Sequence, residues 1–193
     1  EEDILSFLEQ TDKVDNGLLK SVSIKILYAY LQKSHSITPF FQNIDLINRL
    51  NANLLMLNYP NQLISSLNTI KYCIIELETP FQSFNIIQII KLIRCDNFSI
   101  QELSIEIITN ILLLTTSDDF PFKGQLCKSL NWAFNKGSIK LILKAFYCLR
   151  TFFDLCSDQY PQIIELLDDN FFKIIFGLLS SGDNGSIEAM HFL

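Results

Sequence analysis

The sequence has few of the residues that build catalytic and nucleotide-binding sites. Among 193 residues there are only six glycines and two histidines. His35 and His191 lie far apart, and the chain contains no Gly-rich phosphate loop, no HExxH motif and no pair of carboxylates in a catalytic motif. Because enzymes need such residue types at close and specific spacing, the sequence predicts neither an active site nor a bound cofactor.

Positive charge is also scarce. Lys and Arg total 15 against 21 Asp and Glu, for a net charge of −6. A nucleic-acid binder normally presents a basic face or stripe, so nucleic acid is not an expected partner. The longest uncharged run, residues 50–70, contains five Asn, one Gln, two Ser and Pro60. That run is too polar for a bilayer interior, and no membrane span is predicted.

Cysteine is present but shows no pairing pattern. The five cysteines are odd in number and widely spread, with no CxxC motif. They are Cys73, Cys95, Cys127, Cys148 and Cys156. This usage favours a reducing compartment, cytoplasmic, nuclear or both, and Cys148 and Cys156, eight residues apart on one helix, are expected to be packed in a core. The pairs at 118–119 and 168–169 are interpreted as aspartates that cap helices, because no further ligands follow at calcium-loop spacing. No metal site is predicted.

Proline occurs at a regular step. Four of the five prolines are separated by 41, 41 and 40 residues. They are Pro39, Pro80, Pro121 and Pro161. Proline suits the first turn of a helix and disfavours helix in the residue before it. We therefore expect these prolines to mark the same joint in successive units of about 40 residues, and Pro60 to begin a further helix.

Apolar residues spaced by three and four predict an all-α chain. Helices are predicted at 16–33, 60–77, 84–94, 99–114 and 138–155. Ser99 and Glu102 fit a capping box, and Ser138 is predicted to cap the helix after the turn at 135–137. The predicted buried stripes are Leu19, Val22, Ile26 and Tyr30; Leu103, Ile107, Ile108, Ile111 and Leu114; and Ile139, Ile142, Phe146, Leu149 and Phe153.

Units of this length and helical pattern resemble armadillo repeats, with the HEAT type as a close relative. The clearest matches are PQIIELLDDN followed by FFKIIFGLLSSGDNGSIEAMHFL, and QELSIEIITNILL, which places Asn110 where many armadillo repeats carry a groove asparagine. The resemblance implies a right-handed α-α superhelix of four to five repeats in one domain, residues 1–193. The units are 1–38 (partial), 39–79, 80–120, 121–160 and 161–193 (partial). The chain begins without Met or a signal-peptide pattern, so we expect an internal fragment.

The resemblance implies that the last helix of each repeat lines a concave surface. The four predicted long helices hold seven bases against four acids, whereas the remaining residues hold eight against 17. One interpretation is a protein-interaction scaffold that captures an acidic partner segment. The candidate residues are Asn110, Lys140, Lys144, Tyr147 and Arg150. A merely solvated helix face is the alternative interpretation of these charges.

Two other functions stay open. A fragment of a nuclear import receptor of the importin-α kind is one, although the chain has a single Trp, Trp132, and therefore lacks the paired Trp and Asn ladder of that family. A helical segment that regulates a catalytic domain in a longer chain is the other.

Overall fold

The computed structural model describes residues 6–7, 10–11, 17–34, 44–116, 120–156, 160–167 and 169–181. Within these residues every regular element is helical, which confirms the all-α prediction. The α-helices are α1 (Gly17–Ser34), α2 (Ile44–Asn53), α3 (Pro60–Ile75), α4 (Ile86–Leu92), α5 (Phe98–Leu114), α6 (Lys123–Lys136), α7 (Ile139–Leu155), α8 (Tyr160–Glu165) and α9 (Asp169–Ser181). A 3₁₀ helix, Phe81–Ser83, precedes α4.

The four long helices predicted from apolar spacing are confirmed as α1, α3, α5 and α7, each within two residues at either end. The predicted helix at 84–94 is shorter than expected, since α4 covers only Ile86–Leu92. Boundaries are the least determined part of a helix because the terminal turns lack internal hydrogen-bond partners.

Prolines stand at helix starts, as their geometry requires. Pro60 occupies the first turn of α3, and Pro80 is the residue that precedes the 3₁₀ helix. Pro121 lies two residues before α6, and Pro161 lies in the first turn of α8. Pro39 falls outside the described residues. The fixed φ and missing N–H of proline are tolerated at these positions because the first helical N–H groups have no partner within the helix.

The start of α5 differs from the predicted capping box. The helix begins at Phe98, so Asn97 is the cap, and the backbone N–H of Ile100 donates to its side-chain oxygen at 3.2 Å. Ser99 is therefore already inside the first turn. Asn and Ser are equally good caps, and Asn97, which comes first in the chain, is the residue that caps α5. The predicted cap at Ser138 is confirmed, because its hydroxyl accepts from the N–H of Leu141 at 3.3 Å.

Gly137 makes the junction between α6 and α7 tight. Its N–H donates to the carbonyl of Ala133 at 2.8 Å, and a Cβ on this residue would overlap that carbonyl oxygen. Only glycine fits so close an approach without a shift of the backbone. The turn expected at 135–137 is thus a two-residue junction, Gly137 and Ser138, between the two helices.

The predicted buried stripes are mostly correct on α5 and α7, apart from half-buried Ile142 and the two end residues, and wrong on α1. Leu114 and Ile139 are 64% and 68% exposed. On α1, Val22 and Ile26 are exposed, whereas the buried residues are Ser23, Ile24, Leu27 and Leu31. Apolar residues surround much of α1, and spacing alone could not select its buried face. The side chain of Leu19 lies outside the described residues.

The described chain forms two compact units, Glu1–Gln88 and Ile89–Leu193. In the first unit, α3 packs on α1 along most of its length and on α2 less extensively. The side-chain amide of Asn51 donates to the carbonyl of Ser83 at 3.1 Å, while its oxygen accepts from the N–H of Asn85 at 2.8 Å. These bonds hold the 3₁₀ segment against α2. The organisation of residues 1–193 as one domain stays a prediction.

In the second unit the principal contact is between α5 and α7, and α6 packs on both α7 and α9. Three phenylalanines join the latter helices: the ring centroids of Phe134, Phe146 and Phe171 lie 4.9 to 5.7 Å from one another. Such aromatic clusters bury large apolar areas and prefer tilted contacts. This cluster fixes α7, which carries most of the candidate site residues.

Candidate functional site: the groove between helices α5 and α7

Helices α3, α5 and α7 bury the same positions when they are aligned. When 38 is added to the residue numbers of α3, all nine of its buried residues fall on buried residues of α5. When 41 is added to the residue numbers of α5, its buried residues fall on seven of the eight buried residues of α7. Ser66, Ser104 and Ala145 are equivalent by this alignment, and all three are fully buried. The alignment therefore defines equivalent positions on three helices.

A groove runs between α5 and α7 on the face that this shared pattern leaves open. Its volume is about 520 Å³. Residues from both helices form its walls. They are Ile105, Glu106, Thr109, Asn110, Leu113, Leu143, Lys144 and Tyr147. We call this the α5–α7 groove.

The groove exposes apolar surface. Leu113 is 59% exposed and Tyr147 is 50% exposed, and both side chains stand on its walls. Exposed apolar side chains that line a concave surface with a few polar groups are the usual composition of a binding site for a ligand or a partner segment. The groove has this composition.

A second hollow of about 380 Å³ continues from the groove toward the carboxyl ends of the two helices. Leu113 and Tyr147 line both spaces. The other residues of the second hollow are Leu112, Thr115, Arg150, Thr151, Asp154 and Leu155. The two spaces therefore share a boundary of one leucine and one tyrosine.

The first unit has its own hollow, of about 260 Å³, between α1 and α3. From α3 it is lined by Asn68, Lys71, Tyr72, Ile75 and Glu76. By the 38-position displacement, the first four of these align with residues of the α5–α7 groove: Glu106, Thr109, Asn110 and Leu113. By the 41-position displacement, those four align with residues of the second hollow: Tyr147, Arg150, Thr151 and Asp154. Each of the three helices thus presents the same i, i+3, i+4, i+7 stripe to a concave surface.

The structure brings together three of the five candidate residues. Asn110, Lys144 and Tyr147 line the α5–α7 groove. Arg150 lies in the second hollow beside Tyr147. Lys140 lies outside both linings, at the end of the groove nearest the start of α7, where its ammonium is 5.5 Å from the ring centroid of Phe98. This contact has the geometry of a cation–π interaction.

Asn110 does not present a free amide to the groove. Its side-chain N–H donates to the carbonyl of Glu106 at 2.8 Å, one turn earlier. The burial alignment places Thr151 at the equivalent position of α7, and the Thr151 hydroxyl donates to the carbonyl of Tyr147 at 3.0 Å. Asn110 and Thr151 are thus each bonded to their own helix, whereas the hydroxyl of Tyr72, at the same position of α3, donates to the carbonyl of Leu31 on α1 at 3.4 Å.

The basic stripe predicted at Lys140 and Lys144 is partly neutralised. The ammonium nitrogens of these lysines lie 2.9 and 3.4 Å from the same oxygen, Oε1 of Glu102. Partial burial opposes the charged form of Glu102 and alone would raise its pKa, but the hydrogen bond from Lys140 and the charge of Lys144 outweigh it, so the pKa is lowered. Glu102, predicted to cap α5, instead links α5 to α7.

Sequence reasoning missed the apolar walls of the groove. Leu113 and Leu143 are not in the predicted buried stripes, and no charge pattern drew attention to them. The available signal was position, since both are large aliphatic residues outside the stripe that faces the core. An apolar residue on the polar face of an amphipathic helix is a candidate contact residue.

The buried cysteines offer no reactive thiol. None of the five forms a disulfide, and four are buried. Burial raises the pKa of Cys73 and Cys148 to about 12 and that of Cys127 to about 11, so these thiols stay protonated at neutral pH. The prediction that Cys148 and Cys156 are packed in the core is confirmed.

In the part of the chain that the structure describes, no group of three or more His, Cys, Asp and Glu could hold a metal ion. Asp169 lies in the first turn of α9, where an acidic side chain is favourable. None of the described helices combines the length and the hydropathy needed to cross a membrane.

Comparison of the chain with protein-family models, with curated proteins and with solved structures finds no match.

Proposed function

We propose that this chain is a protein-interaction scaffold of armadillo-like helical repeats, and that the α5–α7 groove binds a segment of a partner protein. The observation that carries the proposal is the groove itself, which exposes Leu113 and Tyr147 on opposing helices of a rigid pair. A partner side chain inserted between them would bury apolar surface worth about 25 cal/mol per Å².

The repeated burial pattern supports the repeat architecture. Helices α3, α5 and α7 bury equivalent positions and present equivalent stripes to hollows. In a repeat protein each unit buries its apolar face against its neighbours, which requires this kind of repeated pattern. The stacking of the units into a right-handed superhelix, in the cytoplasm or the nucleus, belongs to the proposal.

The dimensions of the site suit a short peptide segment. From Ile105 to Leu113 α5 extends about 12 Å, and from Leu143 to Leu155 α7 extends about 18 Å, at 1.5 Å per residue. A partner helix of two to three turns has this length, as does an extended segment of about five residues. Both kinds of segment are recognised through regularly spaced apolar anchors.

The nuclear import receptor is less well supported. Trp132 is partly buried on α6 and does not line the α5–α7 groove. Thr151 stands where a second groove asparagine would be required. A segment that regulates an attached catalytic domain would use the same groove, and recovery of the full reading frame tests that alternative.

Selection from a displayed library of natural peptide segments, with the intact 193-residue chain as bait, tests the proposal. The selection should enrich segments that bind the wild-type chain. Their affinity should fall at least tenfold, about 1.4 kcal/mol, for Leu113→Asp and for Tyr147→Ala. These changes remove the apolar contact but lie on exposed positions, so the fold should be retained.

Matched controls are available in the first unit. Leu55 and Tyr59 are 64% and 42% exposed, and Leu55→Asp and Tyr59→Ala should leave binding unchanged. Enrichment of segments that bind all four variants equally would place the binding surface elsewhere. Failure to enrich any segment would overturn the proposal.

A further inference from the structure

Two cations share one carboxylate oxygen at the end of the groove. Lys140 and Lys144 are one turn apart on α7, and Glu102 reaches both from α5. The side chain of Glu102 is 16% exposed, whereas those of Lys140 and Lys144 are 67% and 36% exposed. The cluster therefore presents its positive groups to solvent and carries one positive charge in excess.

The hydrogen-bonding capacity of the cluster is also incomplete. Each ammonium has three N–H donors, and the two nitrogens lie 2.9 and 3.4 Å from the same oxygen of Glu102. A second carboxylate close to Lys140 and Lys144 would supply acceptors for the remaining donors and cancel the excess charge. Charge-assisted hydrogen bonds of this kind are the stronger ones in proteins.

We propose that Glu102 is an internal counter-ion that competes with a carboxylate of the bound segment for Lys140 and Lys144. This inference rests on the proposed binding function and names the chemistry of the partner. The segment carries an acidic residue at the lysine end and an apolar residue that packs on Leu113 and Tyr147.

The spacing of these two partner residues follows from α7. Tyr147 lies three residues beyond Lys144 and seven beyond Lys140, or about 4.5 and 10 Å along the helix axis. The acidic and apolar residues of the segment should therefore be one to two turns apart if the segment is helical. In an extended segment they should be about one to three residues apart.

Other charges restrict where the acidic residue can lie. Glu106, an acidic residue, stands on the groove wall one turn beyond Glu102, so this part of the wall supplies no cation for a partner carboxylate. Asp154 stands beside Arg150 in the second hollow. The lysine end is thus the place where the lining favours a partner carboxylate, and the charges specify the orientation of the segment.

Paired synthetic peptides test the inference. Each pair has one leucine and, at a spacing varied from one to seven residues, either glutamate or glutamine in an uncharged background. Binding to the intact chain is measured by fluorescence anisotropy at low salt. The glutamate peptide should bind roughly threefold to tenfold more tightly than its glutamine twin, and salt should reduce that ratio.

The discriminating variant is Glu102→Gln. Removal of the competing carboxylate should increase the affinity for the glutamate peptide severalfold and leave the affinity for its glutamine twin unchanged. The double variant Lys140→Gln/Lys144→Gln should bind the glutamate and glutamine peptides with equal affinity. Melting temperatures of all variants report whether the fold is retained.

The possible outcomes separate the two proposals. If both peptides bind through Leu113 and Tyr147 with equal affinity, or if Glu102→Gln weakens the glutamate peptide, the counter-ion inference is wrong and the binding function stands. If no peptide of either kind binds, the outcome counts against the groove as a binding surface and against both proposals.

Discussion

The rings of Phe134 and Phe146 lie 4.9 Å apart, centroid to centroid, and tilt by 42°, which joins α6 to α7 in the core of the second unit. Both residues are almost completely buried. Phe146→Ala should therefore lower the free energy of unfolding by about 3 to 5 kcal/mol, since it leaves a cavity among three rings. Phe176→Ala, at a position 64% exposed, should change it by no more than about 0.5 kcal/mol. Equal effects in urea unfolding would contradict the aromatic core.

Ser104 is a buried residue whose hydroxyl has no hydrogen-bond partner in the structure. Ser104→Ala removes this unsatisfied group and should stabilise the chain by about 1 kcal/mol. The equivalent residue Ser66 donates to the carbonyl of Gln62 at 3.0 Å, so Ser66→Ala should instead be neutral or slightly destabilising. Thermal unfolding of both variants measures the contrast. A loss of stability in Ser104→Ala larger than that in Ser66→Ala would show that the Ser104 hydroxyl is bonded in solution.

Glu102 should make stability depend on pH. Its pKa is lowered in the folded chain by the two lysines, so its contribution is present above the unfolded value of about 4.3 and is lost as pH falls through the folded value. Glu102→Gln should lower the melting temperature at pH 7, and the difference from wild type should shrink below about pH 4. Glu165→Gln, an exposed change on α8, should lower the melting temperature at pH 7 less than Glu102→Gln does. A difference that stays constant from pH 7 to pH 3 would show that the charge of Glu102 does not stabilise the fold.

Thiol labelling tests the burial of the cysteines. Cys95 is half-buried, whereas Cys148 is fully buried with a pKa raised to about 12. At pH 8 roughly one Cys148 thiol in ten thousand would be ionised. N-ethylmaleimide should therefore label Cys95 first, as judged by mass spectrometry of the digested chain. In guanidinium chloride all five should react, and rapid native labelling of Cys148 would contradict its position in the core.

Helix location was predictable from local chemistry. Prolines, the Ser138 cap and apolar spacing indicated α3, α5 and α7 to within two residues, because each signal acts on its own stretch of backbone. The capping residue of α5 was not predictable in this way. Asn97 and Ser99 are both residue types that cap helices, and only the packed structure selects between them.

The groove was predictable only in part. Lys144 and Tyr147 were candidates from charge and helix position, because an exposed face is visible in the pattern of a single helix, whereas Asn110 was a candidate only from the resemblance to armadillo repeats. The contact of Glu102 with Lys140 and Lys144 joins residues about 40 positions apart. No local pattern specifies such a pair, and a plausible capping role for Glu102 concealed it.

The unequal displacements that align the three long helices, 38 positions from α3 to α5 and 41 from α5 to α7, differ by three residues, just under one helical turn. The connecting segments therefore differ in length, while each long helix keeps its stripe on a concavity. Under the proposed function, a change of length between these helices should leave segment binding intact, whereas a single residue inserted within a helix would turn the stripe by about 100° and abolish binding.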